Sequence, residues 1–426
     1  MATIGLDFGS TYCTMSWINP KSGKVEPIKM TEGDGSVKYP SLIIGTLLEL
    51  KVGYSAVHYA DMLPNLSADE QMKAIASTVK CIKQVMSPDG TEILNKKKYT
   101  HKALLVQLFK SLKKQAEVHI GNGTVVDSVI FSYPVEMSES KKKLIQDALM
   151  EAGLYTLDKV EEPVAAVYGY EAEHEVKNGT GILVFDFGGG TTDVAYVSKQ
   201  MDHLAVSVQP RGNNTCGGQD LDAILYEYFR AEIKKTHAGA DITQKGFMRD
   251  IGVLNFCRFM KEQLCISRQS QAFVRTVLIN GNAVDYEFRL SYSKFNELIS
   301  PKVNEAVQVA KTVQNDVLQK HKPIHKILLI GGSSQIPLVQ DLLGKLGDCS
   351  VESCGEKDVV VALGTLRYAI ANGVIKVDTE KTNTTQGTGT STGTETPKTE
   401  PKKKPEPQKP TGPIVKDDGG EMMFNW

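Results

Sequence analysis

The stretch Leu183-Val184-Phe185-Asp186-Phe187-Gly188-Gly189-Gly190-Thr191-Thr192-Asp193 decides the fold of this chain, because it has a counterpart in Ile4-Gly5-Leu6-Asp7-Phe8-Gly9-Ser10-Thr11. Each copy is an apolar strand, then Asp-Phe-Gly, then small and hydroxyl residues, then a second apolar strand (Tyr12 to Ile18, Val194 to Val197). The aspartates at 7 and 186 lie 179 positions apart, so an internal duplication predicts two related lobes facing each other.

The chemistry of such a turn is specific. Glycines at 9, 188, 189 and 190 let the backbone approach a ligand closely. Successive amide N–H groups then form a concavity suited to phosphate, and the hydroxyls of Ser10, Thr11, Thr191 and Thr192 add donors. The aspartates would repel phosphate unless a hard cation intervenes, and Mg²⁺ with retained waters resolves that conflict. A tight hairpin with Asp and Gly in its turn explains one such stretch. Two matched copies, plus the loop Gly331-Gly332-Ser333-Ser334 after an apolar strand, favour phosphate. No G-x-x-x-x-G-K-[ST] stretch, no G-x-G-x-x-G opening a helix and no G-x-S-x-G elbow occurs.

Around these turns, strand and helix patterns alternate. Leu104 to His119, Lys141 to Ala152 and Leu221 to Ile233 carry apolar residues at helical spacing, and a helix starts at Pro337. Val126 to Tyr133, Ile182 to Phe185 and Ile324 to Ile330 read as strands. The expectation is an α/β fold of two pseudo-symmetric lobes around a cleft.

Composition sets the limits. The chain has 426 residues, 41% hydrophobic and 23% charged, with a net charge of −1, so no general attraction to nucleic acid or an anionic membrane is expected. No stretch approaches a membrane span, and Met1 to Gly9 does not read as a signal peptide. Seven scattered cysteines without a C-x-x-C pair argue for reduced thiols and a cytoplasmic setting, not for a disulfide framework or zinc. His321 and His325 are separated by Pro323, which disfavours a helical metal pair. From Val377 to Val415 the chain turns to Thr, Lys, Pro, Gly and Glu, which reads as a tether. Residues 416–426 end it with an acidic and apolar motif, Glu421-Met422-Met423-Phe424-Asn425-Trp426. That motif reads as a short docking segment or as an unselected terminus.

At these residues the sequence resembles the heat-shock protein 70 family in its actin-like ATPase domain, over about residues 1–376. Asp7-Phe8-Gly9-Ser10-Thr11-Tyr12 is similar to the first phosphate loop and Asp186 to Asp193 to the second. Glu161-Glu162-Pro163-Val164-Ala165-Ala166 is similar to the connecting motif, Gly217-Gly218-Gln219-Asp220-Leu221-Asp222 to a further signature, and Ile330-Gly331-Gly332-Ser333-Ser334 to the adenosine loop.

The resemblance implies an ATPase with ATP or ADP and Mg²⁺ in the cleft. One lobe would span about 1–177 with part of 350–376, the other about 178–349. It implies that Asp7, Asp186, Asp193 and Glu162 organise the Mg²⁺ shell, mainly through water, and that Thr11 and Thr191 face the γ-phosphate. Lys80, in Ser77-Thr78-Val79-Lys80, is aligned with the lysine that helps place the attacking water. The implied partners are a J-domain co-chaperone and a nucleotide-exchange factor or the ribosome, with the chain itself monomeric.

The sequence departs from the family where the base would lie. Glu262 and Gln335 stand where two arginines sandwich adenine, and a glutamate supplies no cation–π stacking. Arg258, one turn earlier, stands where the family has a glutamate and could stack from the other register. Lys261 and Asp358 are kept, and Cys265 replaces a serine. Phosphate chemistry therefore reads as intact and adenine binding as loose. The acidic–leucine linker and peptide-binding β-sandwich of the family are not visible, so a shortened member is expected. Three functions stay open: a working ATPase chaperone, a nucleotide-locked scaffold, and a sugar or acetate kinase of the same superfold.

Overall fold

In the first copy of the repeat, strands Ala2–Phe8 and Tyr12–Ile18 pair antiparallel with Asp7 opposite Thr14. In the second, Gly181–Phe187 and Thr192–Gln200 pair the same way with Asp186 opposite Asp193. These relationships come from a computed structural model, which describes residues 1–376 except 34, 64–65, 238–246, 280–281 and 356–357. The expected tether 377–415 and terminal motif 416–426 lie outside the described residues.

The duplication extends beyond the turns. Ala2–Phe8 also pairs in parallel with Val126–Tyr133, which pairs in parallel with Tyr155–Glu161. Gly181–Phe187 pairs in parallel with Lys326–Ile330, which pairs in parallel with Ser350–Ser353. The second sheet has five strands and is closed at its other edge by His203–Asn213. The first has six, with Val25–Pro27 and Lys38–Pro40 both on Tyr12–Ile18. The α/β fold of two matched sheets is thus present.

Helices cover the sheets by their apolar faces. His101–Ile120 buries Leu104, Leu105, Leu108, Phe109 and Leu112 and is capped by the Thr100 hydroxyl. Tyr292–Gln319 buries Phe295, Ile299, Val303, Ala306 and Ala310, a continuous stripe at helical spacing, against the second sheet's core. Each sheet keeps its own core, with Phe8, Phe109 and Phe131 in one and Phe187, Phe229 and Phe295 in the other.

Two helices join the lobes. Glu162–Glu171 is buried along nearly its whole length, and Val360–Ala371 crosses it. The crossing is close because a Cβ on Gly364 would collide with the Ala165 carbonyl, and one on Gly169 with the Val360 carbonyl. Val360–Ala371 is tied to the first sheet, where Ser16 Oγ donates to Ala362 O at 2.6 Å. Val164 and Ala165 instead pack with Ile182, Val184 and Leu328 of the second sheet. The helix Glu162–Glu171 thus lies between the two sheets and touches both.

Candidate nucleotide site

The two repeated turns face each other. A Cβ on Gly189 would run into Thr11 Oγ1, and one on Gly190 into Gln84. The first turn is held from behind: Ser41 Oγ donates to Gly9 O at 2.9 Å and Ser41 N to Thr11 O at 2.9 Å. The second closes through Gly188 N to Thr191 O at 3.0 Å. It is braced by Gly218 N on Gly188 O, Gln219 N on Gly189 O and Ser333 Oγ on Gly188 O, at 3.0, 2.8 and 2.9 Å. Gly331, at φ +78°, carries the third loop so close that a Cβ there would lie 2.6 Å from Asp186 Oδ1.

Beneath the turns lies a ring of carboxylates. Burial and the neighbouring charge of Glu162 push Asp7 up to about 7. The same two causes push Asp193 up to about 6. Asp186 is driven well above its ordinary range by burial, then by Glu162, Asp193 and Asp7. One cation answers them. Lys83 Nζ bonds Glu162 Oε1 at 2.6 Å, with both side chains only 10% exposed. Burial alone would lower the Lys83 pKa, but Glu162, Asp7 and Asp186 outweigh it and the net shift is upward. Thr191 Oγ1 donates to Asp193 Oδ2 at 2.9 Å, and Ser132 Oγ to Asp7 Oδ1 at 3.3 Å.

The lysine that the fold brings to the carboxylates is Lys83, three residues after the expected Lys80. Lys80 is exposed at the cleft rim, where crowding by the surrounding protein and the neighbouring Arg258 lower its pKa. Lys83 is the ammonium that enters the ring. Lys80 follows directly on strand Thr78–Val79. The turn of helix Ile82–Val85 then carries Lys83 inward, 5.9 Å from the centre of the Phe8 ring. Repeated motifs gave no signal for it, because a lysine in a short helical turn is by default a solvated residue.

Other expected contacts sort into free and occupied groups. The Thr11 hydroxyl is buried with no hydrogen-bond partner, a donor left for something the chain does not supply. The Thr192 hydroxyl is already given to Cys216 O at 2.8 Å, so Thr192 braces the loop and offers nothing to a ligand. Lys261 Nζ bonds Gly218 O at 3.0 Å and Asp222 Oδ1 at 2.7 Å, which makes it a strut for the loop Gly217–Gly218. Arg258 Nε lies 3.4 Å from Asp222 Oδ2, and its shift is upward because Asp222 and Tyr12 outweigh burial. Glu262 is exposed, and Gln335 Nε2 is turned to Ser334 Oγ at 3.2 Å. Burial pushes the Cys265 thiol up to about 11, so it stays protonated at neutral pH. Asp358 pairs with Lys38 at 2.9 Å, and Lys38 in turn lies 5.8 Å over the Tyr12 ring. Ser10 and Gly332 remain open, the latter with nothing within 4 Å of a Cβ.

The donor set fits a nucleotide with a hydrated cation. Four carboxylates face one lysine, and burial, then the neighbouring negative charge, raises the three aspartates. Among the described residues no three His, Cys, Asp or Glu side chains form a cluster able to hold a metal directly, and Asp7, Glu162, Asp186 and Asp193 are the groups that would face a hydrated Mg²⁺. His325, set aside above as a ligand, accepts from Gly181 N through Nδ1 at 3.0 Å. All seven cysteines are free thiols.

A family model described as Hsp70 protein matches residues 3–385. The chain belongs to the Hsp70 family. As an Hsp70 it is an ATP-binding protein of the chaperone type, and its two lobes are those of the family's ATPase domain. No helix among the described residues is long and apolar enough to cross a membrane.

Proposed function

We propose that this Hsp70 hydrolyses ATP slowly at the carboxylate ring and passes lobe closure to co-chaperones. The observation that carries the reading is the Lys83–Glu162 pair, set among three raised aspartates beneath two facing phosphate turns with an unpartnered Thr11 hydroxyl. Bound Mg²⁺ supplies charge neutralisation for the transferring phosphoryl group. Thr11 and the backbone of Gly188–Thr191 hold the γ-phosphate end. Lys83 and Glu162 orient the attacking water, and Asp193 takes its proton, since burial and Glu162 leave it poised just below neutrality. Catalysis of this kind is positioning and electrostatics, which is why buried, fixed side chains suit it.

The implied partners are a J-domain protein and a nucleotide-exchange factor or the ribosome, in a reducing compartment such as the cytoplasm. The second reading, a nucleotide-locked scaffold, is favoured by one observation: Glu262 and Gln335 offer no cation to the faces of the base. Single-turnover cleavage of radiolabelled ATP by the full chain separates the two. Cleavage accelerated by a J-domain fragment supports the first, and bound ATP that survives intact in its presence supports the second.

A further inference from the structure

Behind the carboxylate ring, on the side away from the facing turns, lies a narrow cavity of about 20 Å³, room for one water. Its inner wall is Glu162, Asp186 and Asp193, and its outer wall is Glu136, Pro210 and Arg211. It exists for a local reason. Val194 pairs with Arg211, but Tyr196 pairs with Val208, so the edge strand bulges by one residue at Gln209-Pro210. Pro210 has no N–H to give the ladder, which suits it to that bulge.

The rim is thin and built from side chains that can turn. Glu136 is exposed. Arg211 is half exposed and rests on Asp316 at 3.0 Å. Gly212 adds nothing to the wall, and a Cβ there would lie 2.7 Å from Asp193 Oδ1 and 3.5 Å from Glu136 Oε2.

Resting on the ATPase reading above, we infer that this cavity is a rear port through which inorganic phosphate leaves while ADP still fills the front of the cleft. Hydrolysis joins the water oxygen to the γ-phosphorus and breaks its bond to the ADP oxygen. The freed phosphate then lies deeper than ADP, against the carboxylates. The front is blocked by the nucleotide and by Thr11 against Gly189. The rear is walled by Glu136, Pro210 and Arg211, of which Glu136 and Arg211 are exposed side chains that can turn. Arg211 attracts the anion at the mouth, and Glu136 opposes it.

A port changes rates without changing affinity. The test is the exchange of inorganic phosphate with the preformed Mg²⁺–ADP complex of the full chain, followed by phosphorus NMR and by a fluorescent phosphate sensor. Ala195→Leu, which fills the cavity wall, is expected to slow entry and exit equally by about tenfold, with the phosphate dissociation constant unchanged. Glu136→Gln is expected to speed both by about threefold, and Arg211→Gln to slow both by a similar factor. These two lie at the exposed rim and keep the test alive if Ala195→Leu fails to fold. Exchange rates unaltered in both rim variants would overturn the port, as would phosphate that leaves only together with ADP. Loss of the ATPase reading is distinct: wild-type ATP would remain uncleaved while phosphate still exchanges with the ADP complex.

Discussion

Replacing Lys83 tests the centre of the site without depending on turnover. The Lys83–Glu162 bond is 2.6 Å long and each side chain is 10% exposed, so both charges have lost most of their water. Lys83→Met keeps the unbranched stem but not the terminal ammonium and strands the Glu162 carboxylate, which costs about 3–5 kcal/mol for a buried pair broken on one side. Asp7 and Asp186, which Lys83 holds down, then rise further. The double variant Lys83→Met with Glu162→Gln replaces the pair by neutral groups and is expected to recover all but about 1–2 kcal/mol. Denaturant unfolding of all four proteins measures the coupling directly. Cleavage of ATP by Lys83→Met is expected to fall about 100-fold or more, since one fixed cation is lost from the water and phosphate. Lys80→Ala, on the exposed rim, is expected to stay within about twofold and to leave stability unchanged. A Lys83→Met protein as stable as wild type, or costs that simply add in the double variant, would refute the reasoning, as would Lys80→Ala being the variant that abolishes cleavage.

Other consequences concern pH, the free hydroxyl and the hinge. Asp7 at about 7 and Asp193 at about 6 hold protons in the folded chain at pH values where the unfolded chain has released them. The nucleotide-free protein should therefore lose stability as pH rises from about 4 through 7, by on the order of 4 kcal/mol for Asp7 alone. Mg²⁺–ADP should restore it, and Asp7→Asn should flatten the profile; melting temperatures at pH 5 and pH 8 that agree in the nucleotide-free wild type would contradict this. Thr11→Val removes a buried hydroxyl with no partner, so calorimetry should show weaker ATP binding by about five- to tenfold while the melting temperature holds or rises. Gly364→Ala forces the crossing helices apart at the Ala165 carbonyl and should cost about 2 kcal/mol or more, with Gly347→Ala, where an added Cβ meets only ordinary contact, as a control for glycine loss alone.

The phosphate turns were legible because their chemistry is local. Asp-Phe-Gly followed by small hydroxyl residues closes a tight turn wherever it stands, and its repetition disclosed two lobes before any contact was known. The hydroxyls were less legible. Thr11 and Thr192 occupy similar places in their turns, but only Thr11 is left free, because Cys216 O happens to lie within reach of Thr192. Lys261, read from the sequence as a nucleotide contact, donates to Gly218 O and pairs with Asp222, partners that lie 43 and 39 positions away and that no local pattern shows.

Composition and short-range pattern sufficed for the α/β class, the duplication and the aspartates of the ring. Which lysine joins the ring, how the helix Glu162–Glu171 packs between the sheets, and that a bulge at Pro210 opens a cavity behind the carboxylates follow only from the folded chain. The physical reason is range. A turn is specified by its own residues, whereas charge pairing and burial depend on which distant segments fold against each other. Lys83 lies 79 positions from Glu162 in the chain and 2.6 Å from it in space.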